Sequence, residues 1–373
     1  MSLNIFKIQQ IEIYQSRIKL KEPFKISLET NEFAENIFLI IHTNTGITGY
    51  GECSPDMLIQ GENLDTCTII GQYIANKLKG IDPLDIEECH ALMDSLVYGN
   101  TSIKSAFDIA LYDIAAQNAG MPLYAFLGGK KNKDIITDYT ISIDSPEKMA
   151  LDACKIKEAG FPVIKVKLGE DKEKDTERLE SIRQAIGYEI PLRLDANQGW
   201  DIQTAISFLS TLPDGNIQFC EEPIPRWKYM ELPLVRHQSR VPIMADESCS
   251  DHHDAERLIR LKACDYFNIK PGKSSGLNNA LKIIRLSGEA GIKMQVGGFI
   301  ESRLGFTAAA HLALTSDQII FYDFDTPLMM ETDPVIGGII YGKNGEVKIP
   351  DEPGLGATID KKYLDKCTVV IIN

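Results

Sequence analysis

Five charged residues, Lys167, Asp195, Glu221, Asp246 and Lys270, stand at the ends of consecutive short apolar runs. Each lies 24 to 28 residues beyond the one before, the length of one strand plus one helix. A single Lys or Asp at such a place commonly just starts a loop. Five at matched intervals argue for convergence on one site. Asp195, Glu221 and Asp246 are hard oxygen donors with no histidine or cysteine at corresponding places, which favours magnesium over zinc. Three crowded carboxylates would repel one another unless a cation sat among them. The plainer alternative, a helix N-cap, suits one of the three but not the set. In Glu221-Glu222-Pro223, adjacent strand residues point to opposite faces, so only one glutamate can turn toward a metal. The spacing selects Glu221. Glu247, beside Asp246, is a candidate partner for a lysine.

Lys165-Val166-Lys167 puts two lysines on one face of a strand, and Lys270 lies three strand units beyond Asp195. A lysine serves as a base near neutrality when its pKa falls, and burial beside a second cation, here Lys165 and the metal, pushes it down. A base on each side of a flat enolate lets a proton leave one face and return to the other. The outcome is epimerisation or racemisation at the carbon next to a carboxylate. A solvated lysine pair fits poorly, because Ile164, Val166 and Leu168 alternate with the two lysines. Asp323-Phe324-Asp325 puts two carboxylates on one face by the same alternation. They read either as an anionic pocket for a substrate ammonium or as an exposed turn before Pro327.

These residues need a scaffold that gathers strand ends. After residue 134, eight apolar runs (135–143, 163–167, 192–195, 217–221, 243–246, 266–270, 292–296 and 319–325) alternate with helical patterns such as 176–186, 255–261 and 277–289. That alternation predicts parallel strands with crossover helices, and eight of them predict a closed β/α barrel, whose active sites form where the carboxyl ends of the strands meet. The rival, an open doubly wound sheet, has no glycine-rich phosphate loop after its first strand to support it. Residues 1–130 read as an α+β unit: alternating strands, a hairpin turn at Thr43-Asn44-Thr45-Gly46, then helices ending at Gly128-Gly129. Residues 331–373 fade into turns and short strands that should pack back on that unit. The expected division is thus a capping domain of residues 1–130, completed by 331–373, and a catalytic barrel of 131–330.

The 373 residues are 44% hydrophobic, enough for a large core, and the formal net charge of −14 disfavours nucleic acid and anionic membrane surfaces as partners. The eight cysteines form no CxxC pair and read as small buried thiols. Residues 1–7 lack the pattern of a secretory leader, and no apolar stretch approaches about 20 residues, so a cytoplasmic protein is expected. A homo-oligomer is left open.

Taken together, Lys165-Val166-Lys167, Asp195-Ala196-Asn197, Glu221-Glu222-Pro223, Ala245-Asp246-Glu247-Ser248 and Lys270 resemble the motifs of the enolase superfamily, muconate lactonizing subgroup. The resemblance spans nearly the whole chain, including Gly49-Tyr50-Gly51-Glu52. It implies a modified TIM barrel, (β/α)7β, under an α+β cap. It also implies one Mg2+ per subunit on Asp195, Glu221 and Asp246, with Lys167 and Lys270 as acid and base. Lys165 would steady the substrate carboxylate. Asp323-Phe324-Asp325 resembles the element by which dipeptide epimerases hold the α-ammonium group, Thr140 resembles a further substrate contact, and Gly298 lies in a loop that resembles the one touching the dipeptide backbone. Glu222 stands where Gln is common, at a position not implied to bind metal. Two capping loops, residues 20–33 and 54–63, would set specificity. Lys21 and Lys25 could meet an acidic side chain, whereas Phe24 and Ile26 offer apolar contacts, and the segment from Gln295 to Ser302 resembles epimerases acting on small or hydrophobic dipeptides. The implied activity is epimerisation at the C-terminal residue of a dipeptide. The alternatives are a cycloisomerase, o-succinylbenzoate synthase or N-acylamino acid racemase on the same scaffold, a Schiff-base lyase, or a binding protein that kept the fold.

Overall fold

The structure is a computed structural model that describes residues 6–213 and 215–373. Residues 1–5, on which much of the leader reading rests, lie outside the described residues.

The chain opens with three antiparallel strands, β1 (Ile8–Lys25), β2 (Thr30–Thr43) and β3 (Thr48–Cys53). A C-terminal strand, Thr368–Ile372, joins them antiparallel to β1, with Ile11 opposite both Ile41 and Ile372. The last strand of the tail therefore joins the first sheet. Along β2 the alternation separates two cores: Ile37, Leu39 and Ile41 pack toward the capping helices, while Phe38 and Ile40 join the main core. The capping helices are α1 (Leu64–Leu78), α2 (Ile86–Leu96) and α3 (Thr101–Asn118). Asn63 starts α1 by accepting the Thr66 N–H at 2.9 Å. Helix α3 lies almost in van der Waals contact with β3, because Gly51 has no Cβ. One built there would meet the Ala106 carbonyl oxygen at 1.9 Å.

Eight parallel strands follow: β4 (Tyr139–Ile141), β5 (Ile164–Lys167), β6 (Leu192–Asp195), β7 (Ile217–Glu221), β8 (Ile243–Ala245), β9 (Tyr266–Ile269), β10 (Lys293–Val296) and β11 (Ile319–Tyr322). They hydrogen-bond in sequence order, and a helix separates each from the next, which gives the (β/α)7β pattern. Among the described residues no backbone ladder joins β11 to β4. Side chains stitch that seam instead: Phe324 N–H donates to Thr137 Oγ1 at 2.8 Å and Thr140 N–H to Asp325 Oδ2 at 2.6 Å. Inside the barrel, Arg193 donates to Asp138 Oδ2 (2.7 Å) and the Tyr322 carbonyl (2.9 Å), and lies against the rings of Phe219 and Phe321.

Two strands differ from the sequence expectation by more than one residue. The first barrel strand covers only residues 139–141 of the expected 135–143, because the chain just before it pairs with the tail: Thr137 N–H donates to the Gly345 carbonyl and Val347 N–H to that of Ile135. The last stops at Tyr322, so Asp323 and Asp325 stand just beyond it. No described helix is long and apolar enough to cross a membrane. All eight cysteines are unpaired, and six of them are buried.

Candidate active site

The parallel register aligns the site. Lys165 lies beside Thr140 and Arg193, Lys167 beside Asp195, and Asp195 beside Glu221. Asp195, Glu221, Asp246 and Lys165 are each no more than 1% exposed. Lys165 Nζ sits 3.0 Å from Asp195 Oδ2, 3.0 Å from Glu221 Oε2 and 2.7 Å from Asp323 Oδ2. Lys167 Nζ is 2.7 Å from Asp195 Oδ2 and 2.9 Å from Asn197 Oδ1. On the far side Lys270 Nζ is 2.6 Å from Asp246 Oδ2, and Lys273 also pairs with Asp246. Each of the two expected bases faces an aromatic ring, Phe24 at 5.8 Å for Lys167 and Phe299 at 5.1 Å for Lys270.

Burial and charge pull against each other here. Glu221 is pushed up to about 7 by burial and by the Asp195 charge, although Lys165 and Lys270 oppose this. Burial also opposes ionisation of Asp195, but Lys167 and Lys165 prevail and hold it at about 2. For Lys165 and Lys270, burial alone would lower the pKa. The surrounding carboxylates outweigh it and raise both, through Asp323 and Glu221 for Lys165 and through Asp246 and Glu221 for Lys270. For Lys270 this is the reverse of the lowering expected from sequence for a buried base beside a cation. The amines thus serve as counter-ions to the buried acids.

Asp195, Glu221 and Asp246 fit a magnesium ion by donor chemistry. All three are buried carboxylates, and the raised Glu221 marks charge that the lysines do not fully balance. Glu222 turns elsewhere. It leaves the strand with φ +35° and accepts the N–H groups of Asp246 (2.7 Å) and Ser248 (3.2 Å), fixing the loop that carries Asp246. Glu247 meets no lysine, contrary to expectation; its nearest donor is Asn197 Nδ2 at 3.4 Å.

The most compact acidic group among the described residues is Asp138, Asp323 and Asp325, with oxygens within 4.8 Å of one another. Here the exposed-turn alternative fails: Asp325 is fully buried and Asp323 nearly so. Lys165 and Arg193 already pair with Asp323 and Asp138. Asp325 is pushed up to about 7 by burial and by Asp323, and its Oδ1 has no partner. Asp325, Asp323, Thr140, Lys165, Lys167, Lys270 and Gly298 line one cavity of about 60 Å³, closed from the cap by Phe24, Ile26 and Ile59. Glu52 ties cap to barrel there. Its carboxylate accepts Ser302 N–H, Ser302 O–H and Gly305 N–H, each at 2.7 Å.

Asn197, Asn268, Lys273 and Asp138 escaped the sequence reading. For Asn268 a signal existed: it stands two residues before Lys270, on the same face of one strand, and donates to Glu221 Oε1 at 2.7 Å. Lys273 reaches Asp246 only through the turn after β9, which no strand periodicity reveals.

A parallel barrel with this arrangement at its carboxyl end belongs to a defined class. Residues 8–128 match the mandelate racemase / muconate lactonizing enzyme N-terminal domain and residues 148–363 the enolase C-terminal domain-like family, so the chain belongs to the enolase superfamily. Within it, the chain is 58% identical to the D-Ala-D/L-Ala epimerase of Cytophaga hutchinsonii, over 98% of this chain and 100% of that one. It is 40% identical to the hydrophobic dipeptide epimerase of Enterococcus faecalis, over 94% and 99%. The crystal structure of the dipeptide epimerase from Cytophaga hutchinsonii, complexed with Mg and D-Ala-L-Val, superimposes with a TM-score of 0.98 over 98% of this chain and 100% of that one, at 58% identity.

Proposed function

We propose that this enzyme is a magnesium-dependent dipeptide epimerase that inverts the α-carbon of the C-terminal residue of small, neutral dipeptides. One observation carries the reading: two lysines from well-separated strands, a third lysine and a pair of aspartates line the same small cavity. Asp195, Glu221 and Asp246 would hold the ion. Bound magnesium supplies positive charge to the substrate carboxylate, which makes the neighbouring α-proton easier to remove.

The chain's own groups do the rest. Asp325, whose Oδ1 lacks a partner, and Asp323 receive the α-ammonium group of the dipeptide. Lys165 stands between the acidic trio and the cavity and steadies the substrate carboxylate. Lys167 and Lys270, whose amines meet different carboxylates, Asp195 and Asp246, take the proton from one face and return it on the other. Phe24 and Phe299 keep water from the carbanion face. With Ile26 and Ile59 they leave room for a small side chain.

The test is isotope exchange. D-Ala-L-Ala in D2O with Mg2+ should take up deuterium at the C-terminal α-carbon while D-Ala-D-Ala accumulates. Exchange at the N-terminal residue, or exchange indifferent to EDTA, would overturn the assignment.

A further inference from the structure

The two capping loops meet over the cavity, and each brings a carboxyl group to it. Glu29 belongs to the first loop and Asp56 to the second, and their side chains lie within hydrogen-bonding reach of each other. We propose that Glu29 and Asp56 form an acidic gate on the cap side of the pocket, which admits neutral C-terminal side chains and turns away carboxylates.

The gate is rigidly mounted. Glu29 Oε1 accepts from Asn31 Nδ2 at 2.7 Å, and Asp56 Oδ1 accepts the N–H groups of Leu58 and Ile59 at 2.8 Å each. Both loops are fastened to the barrel. Ser27 Oγ lies 2.9 Å from the carbonyls of Ala196 and Asn197, and Gln60 Nε2 donates to the Gly272 carbonyl at 2.9 Å. The two lysines of the first loop that could have received an acidic side chain point away. Lys21 Nζ donates to the Leu328 carbonyl at 2.7 Å, and Lys25 pairs with Glu170 at 3.1 Å. Neither lines the cavity. Burial raises the Glu29 carboxyl above its ordinary range, against the pull of Asn31 and with the help of Asp56. A substrate carboxylate brought against this acidic pair meets like charge in a partly desolvated place.

The gate rests on the epimerase reading, and the test separates the two. L-Ala-L-Gln and L-Ala-L-Glu are nearly isosteric, so the ratio of their kcat/KM values isolates charge. The wild type should favour the Gln dipeptide by at least about tenfold, and in the double variant Glu29→Gln/Asp56→Asn the ratio should fall toward one. Equal kcat/KM values in the wild type would overturn the gate. So would a double variant that slows both substrates alike with the ratio preserved, since a merely structural role predicts that outcome. Should the double variant fold poorly, Glu29→Gln alone should move the ratio in the same direction, and a wild-type ratio retained there would overturn it equally. Absence of exchange on any dipeptide, D-Ala-L-Ala included, would refute the epimerase reading itself and the gate with it.

Discussion

Asp325→Asn should make the enzyme slower and, above neutral pH, more stable. Asp325 is fully buried, accepts the Thr140 N–H at 2.6 Å through Oδ2, and leaves Oδ1 without a donor. Burial and the charge of Asp323 raise its carboxyl from 3.8 to about 7. An acid whose pKa is higher folded than unfolded binds more protons in the native state. The wild type therefore loses stability as pH rises from about 4 to about 7. At 1.36 kcal/mol per pH unit the loss amounts to about 4 kcal/mol. Asparagine keeps an oxygen for Thr140 and cannot ionise, so the variant lacks this slope. Denaturant titrations of both proteins across pH 4 to 8 should therefore diverge, with the variant gaining on the wild type as pH rises. The difference reports the Asp323–Asp325 pair, since the two carboxyls titrate together. Activity moves the other way. Removing the charge from a hydrogen bond to the substrate ammonium forfeits roughly 1.5–3 kcal/mol, or about 10- to 150-fold in kcat/KM. An N-acetylated substrate, which carries no ammonium, should lose far less. Parallel stability curves, or equal kinetic losses for free and acetylated substrates, would refute this role for Asp325.

Other outcomes follow from the same geometry. Lys167→Ala and Lys270→Ala should each abolish α-deuterium exchange chiefly from one epimer, and from opposite ones; NMR of each pure epimer in D2O checks this, and equal losses would count against bases on two faces. Asp195→Asn should bind Mg2+ more weakly, seen by calorimetry, and EDTA should stop exchange in the wild type until Mg2+ is restored. Gly51→Ala should lower the melting temperature markedly, with a loss of roughly 3 kcal/mol or more, because its new methyl would lie 1.9 Å from the Ala106 carbonyl oxygen.

Much of the scaffold was legible in the sequence, because strand and helix periodicities are local. Runs that end in Lys167, Asp195, Glu221, Asp246 and Lys270 at regular spacing already specify parallel strands whose ends converge. The choice between Glu221 and Glu222 was legible only as an exclusion, since adjacent strand residues oppose each other. The positive φ of Glu222 and its hold on Asp246 and Ser248 arise from a loop that no pattern encodes. The first and last barrel strands were overextended for a similar reason. Residues 135–137 have strand character, but their backbone partners come from residues 345 and 347, more than 200 positions away.

The sequence by itself determined which residue types stand at which strand ends, and through them a barrel, an acidic trio and paired lysines. Only the tertiary structure decided how their charges balance. Lys165 sits among three carboxylates from three other strand ends, so its pKa rises where isolated burial would have lowered it. The turning of Lys21 and Lys25 away from the cavity, and the meeting of Glu29 with Asp56 above it, were likewise beyond the sequence. Coulomb energies depend on distances between residues remote in the chain, and folding sets those distances.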